Sequence, residues 1–191
     1  MPAAKRKRDY PRTVALDDKT EVTLRLMTPA DAGRIVAFAR GLPEHDLLFL
    51  RADITDPRIV AQWVENIAAQ RTVTVVAEAG GELAGYVSLH HNQVTWQRHL
   101  GEIRIQVGLP YRSHGLGRLL AGEIFTVARE LGLRKIVAQM TVEQKGAIAT
   151  FERLGFHPEA LLQDFVIDRA GRTHDRVVMS YDVEGLTDRA D

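Results

Sequence analysis

Apolar and polar residues follow two different spacings along this chain. Alternation at every second position predicts strands over residues 13–16, 22–27, 72–77, 83–90, 103–107 and 133–140. Apolar residues at helical spacing predict helices over residues 28–41, 56–67, 116–131 and 145–154. A closing hairpin is predicted over residues 165–179, with its turn at 169–171. Strands and helices therefore interleave along the chain, without internal repeats.

Turn and cap residues mark several of these boundaries. Thr28 in the N-cap position, Pro29 after it and an acidic residue at Asp31 predict the start of the first helix. The pair Gly80–Gly81 predicts a hairpin turn between two strands. Residues 13–27 form either a hairpin or a leader that feeds the first strand. In the second helix Trp63 is interpreted as a core anchor.

The loop between the strand 103–107 and the helix 116–131 predicts an anion site. It reads Arg112, Ser113, His114, Gly115, Leu116, Gly117 and Arg118. Its two glycines let the backbone approach an anion closely, and the first N–H groups of a helix lack internal partners. Arg112 and Arg118 can add charge-assisted hydrogen bonds to a pyrophosphate. The alternative is a tight strand-to-helix turn with ordinary surface arginines.

Other phosphate and nucleophile motifs are excluded by spacing. A dinucleotide fingerprint needs a third glycine where Leu120 stands, and no Gly-Lys-Ser/Thr sequence occurs. A nucleophile elbow needs glycine where Tyr111 stands. The loop is therefore not one of these common motifs.

Residues 107–117 resemble the acyl-CoA pyrophosphate motif of the GNAT family, the Gcn5-related N-acetyltransferases. Residues 147–156 resemble the helix-to-strand segment of the same family, and element order matches from about Glu21 to Val183. The resemblance implies an α+β fold, a mixed and mostly antiparallel sheet flanked by four principal helices. It also implies that the sheet opens between the fourth and fifth strands, where the pantetheine arm inserts.

The resemblance implies an acetyl-CoA-dependent N-acetyltransferase, with one domain over residues 10–191. The implied cofactor contacts are Gln106, Val107, Arg112, Ser113, His114, Gly115, Leu116, Gly117, Arg118, Gln144 and Phe151. Gln144 and Phe151 depart from the family pattern, which often has asparagine and tyrosine there. The tyrosine is thought to protonate the departing thiolate, so the acid is unidentified. The alternative is a non-catalytic acyl-CoA-binding module, a sensor or subunit.

Glu102 is the expected general base, because several family members carry a carboxylate at this position. The alternative is that Glu102 is the polar half of a strand or pairs with Arg104 on the same face. An oxyanion donor is expected at the backbone N–H of Gln106 or Val107.

Two neighbouring histidines offer a further choice of base or of metal ligand. His90 and His91 end a strand near the cleft, and their unperturbed pKa of about 6.5 suits a base. Adjacent strand residues point to opposite faces, so one of the two is expected to face solvent. The seven histidines show no metal-ligand spacing, and no metal is expected. His174 and Asp175 are expected to form cross-strand pairs.

Composition limits the partners and the location. The chain has 25 Lys and Arg against 25 Asp and Glu, so no overall basic field attracts nucleic acid or an anionic membrane. It has no cysteine, which excludes a thiol nucleophile and implies direct transfer in a ternary complex. No apolar run approaches the roughly 18 residues of a membrane span, so a cytoplasmic location is expected. Lys5–Arg8 is interpreted as part of a disordered basic tail, residues 1–9.

The amine acceptor stays open. Residues 42–56 lose clear periodicity and form either a specificity loop or a surface turn followed by a core anchor. Polyamines, amino-acid derivatives, aminoglycoside-like compounds and protein amino groups all remain possible acceptors. The closing hairpin could pair across a homodimer.

Overall fold

The computed structural model describes residues 9–43, 46–47, 52–168 and 170–183. The strands in this part of the chain are β1 Arg12–Ala15, β2 Glu21–Leu26, β3 Thr72–Ala79, β4 Glu82–His91, β5 Leu100–Val107, β6 Lys135–Thr141, β7 His157–Ile167 and β8 Thr173–Asp182. The helices are α1 Ala32–Arg40, α2 Pro57–Ala68, α3 Leu116–Glu130 and α4 Lys145–Arg153. The predicted basic tail at Lys5–Arg8 and most of the loop between residues 44 and 51 lie outside the described residues.

The eight described strands form one sheet in the order β1-β2-β3-β4-β5-β6-β8-β7. Every neighbouring pair is antiparallel except β5 and β6, which run parallel. This architecture confirms the prediction of an α+β fold with a mostly antiparallel sheet and four helices. The closing hairpin is longer than predicted, because β7 begins at His157 rather than near residue 165.

The two parallel strands pair over a short distance only. Their register runs from Leu100 opposite Lys135 to Glu102 opposite Val137, and no further pair joins the described parts of the two strands. The sheet thus opens after Glu102, towards the carboxyl end of β5. The resemblance implies an opening between the fourth and fifth strands of the family fold; these correspond to β5 and β6 here, because β1 adds a strand at the edge of the sheet.

Each face of the sheet carries its own hydrophobic core. On one face α3 buries Leu116, Leu120 and Ile124, each at most 1% exposed. Full burial of such a side chain contributes about 1.5–3 kcal/mol. On the other face α1 and α2 pack Ile35, Val60 and Trp63 against Val76 and Tyr86, among others. Strand residues of alternating position thus serve two separate cores, as the period of two requires.

A buried ion-pair network fixes the start of α1 against the sheet. Arg25 on β2 donates to both carboxylate oxygens of Asp31, at 2.7 and 2.6 Å, and the Thr28 backbone N–H donates to the same carboxylate at 2.8 Å. Arg25 also donates to Glu78 on β3 at 2.7 Å. The bonds from Arg25, then those from Thr28, hold the pKa of Asp31 well below its usual value. The predicted cap at Thr28 therefore has a tertiary partner as well.

The glycine hairpin is confirmed. Gly80 and Gly81, with φ of 56° and 86°, both lie in the left-handed region. Two consecutive residues with positive φ suit the twist of antiparallel strands, and glycine adopts that conformation without steric cost.

Candidate active site

A cavity of about 560 Å³ lies where the sheet opens between β5 and β6. Its walls include Gln106, Gln144 and Phe151, three of the predicted cofactor contacts, together with the predicted base Glu102. Residues of α2 and of the β7–β8 hairpin complete the walls. The structure therefore brings residues from both halves of the chain into one space.

A strip of polar side chains crosses one side of this cavity on β4 and β5. The register places three pairs opposite each other: Tyr86 with Gln106, Ser88 with Arg104, and His90 with Glu102. All six residues border the cavity. They share a face because side chains two positions apart on a strand point the same way.

Hydrogen bonds to β3 and α2 fix most of one edge of this polar strip. The Trp63 indole N–H donates to Thr74 Oγ1 at 3.0 Å, and Thr74 lies 3.4 Å from Ser88 Oγ. Thr72 Oγ1 lies 2.9 Å from His90 Nδ1. Trp63 is buried, as expected of a core anchor, but it also borders the cavity.

The surroundings of Glu102 are compatible with both expectations for this residue, a general base and a partner of Arg104 on the strand. Its Oε1 lies 3.2 Å from Arg104 Nη2 and 3.3 Å from Arg104 Nε, so the expected alternative, pairing with Arg104, is present. The carboxylate still borders the cavity beside His90. Pairing on the strand and a position suited to a base are therefore compatible here.

The prediction that His90 or His91 faces solvent is wrong. His90 borders the cavity and His91 is 8% exposed. Burial lowers the pKa of His91. The reason is that His91 shares its face of β4 with Leu89, and that face is packed beneath α3.

The predicted phosphate loop has the backbone of an anion-binding turn. Ser113 and Gly115 have φ of 65° and 87°, and α3 begins directly afterwards at Leu116. Within the described chain the backbone N–H groups of Leu116, Gly117 and Arg118 donate no hydrogen bond; the first bond of the helix runs from Leu119 to Gly115. These three groups, at the positive end of the helix dipole, can hold an anion.

Two basic residues of this loop face carboxylates of the β1–β2 turn. Arg118 Nη2 lies 3.3 Å from Asp17 Oδ1, and His114 Nδ1 lies 3.6 Å from Asp18 Oδ2. A Cβ atom built on Gly115 would lie 2.7 Å from Asp17 Oδ2. The Asp17 carboxylate therefore lies against the start of α3, on the loop predicted to hold a pyrophosphate.

The third basic residue, Arg112, joins the loop to two other segments. Its Nε donates to the carbonyl of Val107 at 3.1 Å, and its Nη2 donates to Asp46. Gly117 also lies near Val107: a Cβ atom at Gly117 would lie 3.8 Å from Val107 Cγ2. Among the described residues, neither Val107 nor the loop 112–118 borders the main cavity; Val107 follows the cavity residue Gln106 along the chain and bonds to the loop through Arg112.

The two positions that depart from the family pattern both border the cavity. Gln144 precedes α4, and its Oε1 accepts from the Thr141 backbone N–H at 3.0 Å. Phe151 packs edge-on against Phe156, with ring centroids 4.9 Å apart. The two side chains therefore have fixed positions on the α4 side of the opening.

At the far end of the cavity a charged cluster fixes the β7–β8 hairpin. Asp168 accepts hydrogen bonds from the backbone N–H groups of Ala170 and Arg172, at 2.8 and 3.0 Å, and from Arg172 Nε at 2.9 Å. His174 lies between two carboxylates, with Nε2 3.1 Å from Asp168 and Nδ1 2.9 Å from Glu143. These partners make the cluster a clamp between the hairpin and the β6–α4 loop.

Hydrogen-bond partners within this cluster shift the pKa values of His174 and Asp168. Glu143 first and Asp168 second raise the pKa of His174 above its usual value. Backbone donation from Arg172, then the bond to His174, holds the pKa of Asp168 well below its usual range. The predicted cross-strand pairing of His174 and Asp175 is confirmed: His174 lies opposite Val166 on β7, and Asp175 accepts from the backbone N–H of Asp164 on β7 at 3.0 Å.

Sequence reasoning missed several residues of the cavity. Tyr86, Asp168 and His174 were treated as ordinary strand or hairpin residues. The polar spacing of Tyr86, Ser88 and His90 was the available signal, since it marks a non-core face within an apolar strand.

The described residues contain no group of three or more histidine, aspartate or glutamate side chains placed to hold a metal ion. None of the described helices is long and apolar enough to cross a membrane.

Comparison with known proteins agrees with this geometry. A family model described as the acetyltransferase (GNAT) family matches residues 45–156, more than half of the chain. The Bacillus subtilis (strain 168) protein named "Putative phosphinothricin acetyltransferase YwnH" is 23% identical over 137 residues, or 71% of this chain and 83% of that protein.

Two solved structures share the fold. Ribosomal-protein-alanine N-acetyltransferase from Brucella melitensis is 25% identical with a TM-score of 0.73, covering 83% of this chain and 98% of that chain. YncA of Salmonella typhimurium, solved with its cofactor acetyl-CoA, is 23% identical with a TM-score of 0.73, covering 85% of this chain and 94% of that chain. The family resemblance of residues 107–117 and 147–156 is thus confirmed, and the chain belongs to the GNAT family of acetyltransferases.

Proposed function

We propose that this protein transfers the acetyl group of acetyl-CoA to the amino group of an acceptor, by direct attack within a ternary complex. The observation that carries the proposal is the opening of the sheet. Pairing of β5 with β6 ends at Glu102, and the separated part of β5 leads through the short turn Leu109–Tyr111 into the loop Arg112–Arg118. A slot that ends at an anion-binding turn suits an extended ligand with a pyrophosphate at one end.

The residues present fit such a ligand. The N–H groups that begin α3 would bind the pyrophosphate, with Arg112 and Arg118 adding charge. The edge of β5 at Gln106 and Val107 has no described partner strand on the β6 side, so its backbone can bind the pantetheine arm and the thioester oxygen. Gln144 and Phe151 would contact the same arm from the α4 side.

Glu102 has the position of a general base. An acceptor amine must lose a proton before or during attack, and a carboxylate at the cavity wall can take it through water. The nitrogen then forms the C–N bond, and the C–S bond breaks with its electron pair moving to sulfur. Arg104 fixes the position of the Glu102 carboxylate while this happens.

The names of two relatives support the proposal. YncA is solved with acetyl-CoA, and the Brucella melitensis protein is named for transfer to an amino group. Phe151 supports the alternative, an acyl-CoA-binding module without turnover, because it lacks the hydroxyl expected there. The test must therefore separate binding from catalysis.

The first experiment measures thermal unfolding with acetyl-CoA, coenzyme A and ATP. A ligand at about a hundred times its dissociation constant stabilises the folded state by roughly 2.7 kcal/mol, which raises the melting temperature visibly. We expect a shift with both coenzyme A ligands, none with ATP, and a reduced shift in Arg112→Ala. Arg129→Ala, at the other end of α3, is the matched control and should behave as the wild type.

The second step measures thiol release with a panel of amines. Turnover with at least one amine supports the transferase. A coenzyme A shift without turnover across the panel supports the binding module. The absence of any coenzyme A shift contradicts both.

A further inference from the structure

The Tyr86 hydroxyl, at the cavity wall, has no hydrogen-bond partner among the described residues. Tyr86 is 4% exposed, and its ring packs between two aromatic rings, Trp63 at 5.0 Å and Phe38 at 6.1 Å between centroids. No described residue donates a hydrogen bond to its hydroxyl or accepts one from it. A buried tyrosine hydroxyl normally finds such a partner.

Three polar neighbours of Tyr86, by contrast, have hydrogen-bond partners within the protein. The Trp63 indole N–H is bonded to Thr74, and His90 is bonded to Thr72. Ser88 lies within hydrogen-bond distance of Thr74. Tyr86 borders the same cavity as they do. Its hydroxyl is therefore a donor available to a group that enters the cavity.

The hydroxyl keeps its proton. Burial raises the pKa of Tyr86 above its ordinary value of about 10, and the charge of Arg104 on β5 opposes this only in part. The ring neighbours on the other two elements, Phe38 of α1 and Trp63 of α2, carry no charge. Tyr86 is thus a poor acid towards a thiolate, whose conjugate thiol has a pKa near 8.5, but it remains a hydrogen-bond donor.

The position of Tyr86 along the polar strip determines which part of a bound ligand its hydroxyl would meet. Tyr86 lies opposite Gln106, at the cofactor end of the polar strip, whereas Glu102 lies four residues away along β5, about 13 Å. The thioester would lie near Gln106, so the attacking amine would pass its proton to Glu102 through water along the polar strip.

We propose that the Tyr86 hydroxyl donates a hydrogen bond to the sulfur of the acyl-CoA and stabilises the thiolate as it departs. This inference rests on the proposed function. Tyr86 would give the site a hydrogen-bond donor to sulfur, which Phe151 cannot supply because it has no hydroxyl. When the C–S bond breaks, its electron pair stays on sulfur, Tyr86 retains its proton, and the thiolate later takes a proton from solvent.

The test needs coenzyme A alone and no acceptor. The thiolate absorbs in the ultraviolet, so a pH titration of the complex gives the pKa of the bound thiol. We expect that pKa to be about one unit higher in Tyr86→Phe than in the wild type, since a hydrogen bond to a charged group favours the charged form. Affinity for the neutral thiol should not change, and the Phe ring preserves the packing on Trp63 and Phe38.

The matched control is Tyr181→Phe. Tyr181 stacks on Phe125 at 4.6 Å, among the core residues on the α3 face of the sheet, so the loss of its hydroxyl should leave the bound thiol as in the wild type. Equal thiol pKa values in Tyr86→Phe and the wild type would overturn the inference, as would equal shifts in both variants. Failure of the wild type to bind coenzyme A would instead overturn the proposed function.

Discussion

The two ends of the candidate site hold their charged side chains in different ways. At one end is the loop 112–118, the predicted pyrophosphate site. There Arg118 and Asp17 form an ion pair with side chains 74% and 62% exposed. At the hairpin, the Asp168 side chain is fully buried and His174 is 14% exposed. An exposed pair contributes about 0–1 kcal/mol and is readily replaced, whereas removal of one partner from a buried pair leaves an uncompensated charge. The loop charges can therefore exchange partners with a ligand, and the hairpin charges are structural.

The largest effect is expected at Glu102, which lies between these two ends. Glu102→Gln should lower kcat by about 10²–10⁴-fold, because it removes the proton acceptor, and should leave coenzyme A affinity unchanged. Steady-state kinetics and calorimetric titration measure the two quantities. Glu65→Gln, on the exposed face of α2, is the control of equal charge. A parallel loss of kcat and coenzyme A affinity would assign Glu102 a structural role.

The second-largest effect is expected on coenzyme A binding, from changes to the backbone of the loop 112–118. Gly115→Ala should weaken coenzyme A binding by about tenfold or more, because a side chain at φ 87° costs about 1–2 kcal/mol and its Cβ would meet Asp17. Gly122→Ala, within α3 and outside the loop, is the matched control, since its Cβ would meet nothing within 4 Å. Calorimetry gives both affinities. Equal affinities for the wild type and Gly115→Ala would show that the left-handed turn does not matter for binding.

The contrast between the two ends also explains what could be predicted from sequence. The loop 112–118 is a local feature: strand, glycine pair and helix follow one another, and its geometry follows from residues within seven positions. The fold could be predicted from local periodicities of this kind and from the family resemblance of residues 107–117 and 147–156. Boundaries of α3 and α4 agree with prediction to within one residue.

The hairpin end could not be predicted in the same way. His174 meets Glu143, which lies 31 positions away, and this contact depends on the register of β8 against β6. The place where the sheet opens depends on how far β5 and β6 pair. The availability of the Tyr86 hydroxyl depends on what its neighbours bond to. Each of these is a tertiary property that periodicity does not carry.

A stability measurement tests whether the hairpin cluster is structural. Asp168→Asn should lower the melting temperature by several degrees, because the buried side chain loses its charge beside His174 and Arg172. Asp164→Asn is the control on the same hairpin, at an exposed site where asparagine tolerates the positive φ of 50°. Equal melting temperatures for the two variants would show that the clamp adds no stability.

The pH dependence of stability offers a smaller test of the same cluster. The pKa of His174 is raised on folding, so its contribution is complete below the unfolded value of about 6.5 and is lost as pH rises through the folded value. The difference in melting temperature between the wild type and His174→Gln should therefore shrink as the pH rises above about 6.5. A difference that grows with pH would contradict the raised pKa.

The smallest effect is expected at the β1–β2 turn, and it tests whether the loop charges are replaceable. The Asp17 carboxylate lies where a bound pyrophosphate would meet the start of α3, so it competes with the ligand for Arg118 and for the helix N-terminus. Asp17→Asn should tighten coenzyme A binding by up to about fivefold, with the gain fading at high salt. Glu21→Gln removes the same charge from the same hairpin and should give a smaller gain. Weaker binding in Asp17→Asn would mean that this carboxylate shapes the loop for the ligand, and the two ends of the site would then both be structural.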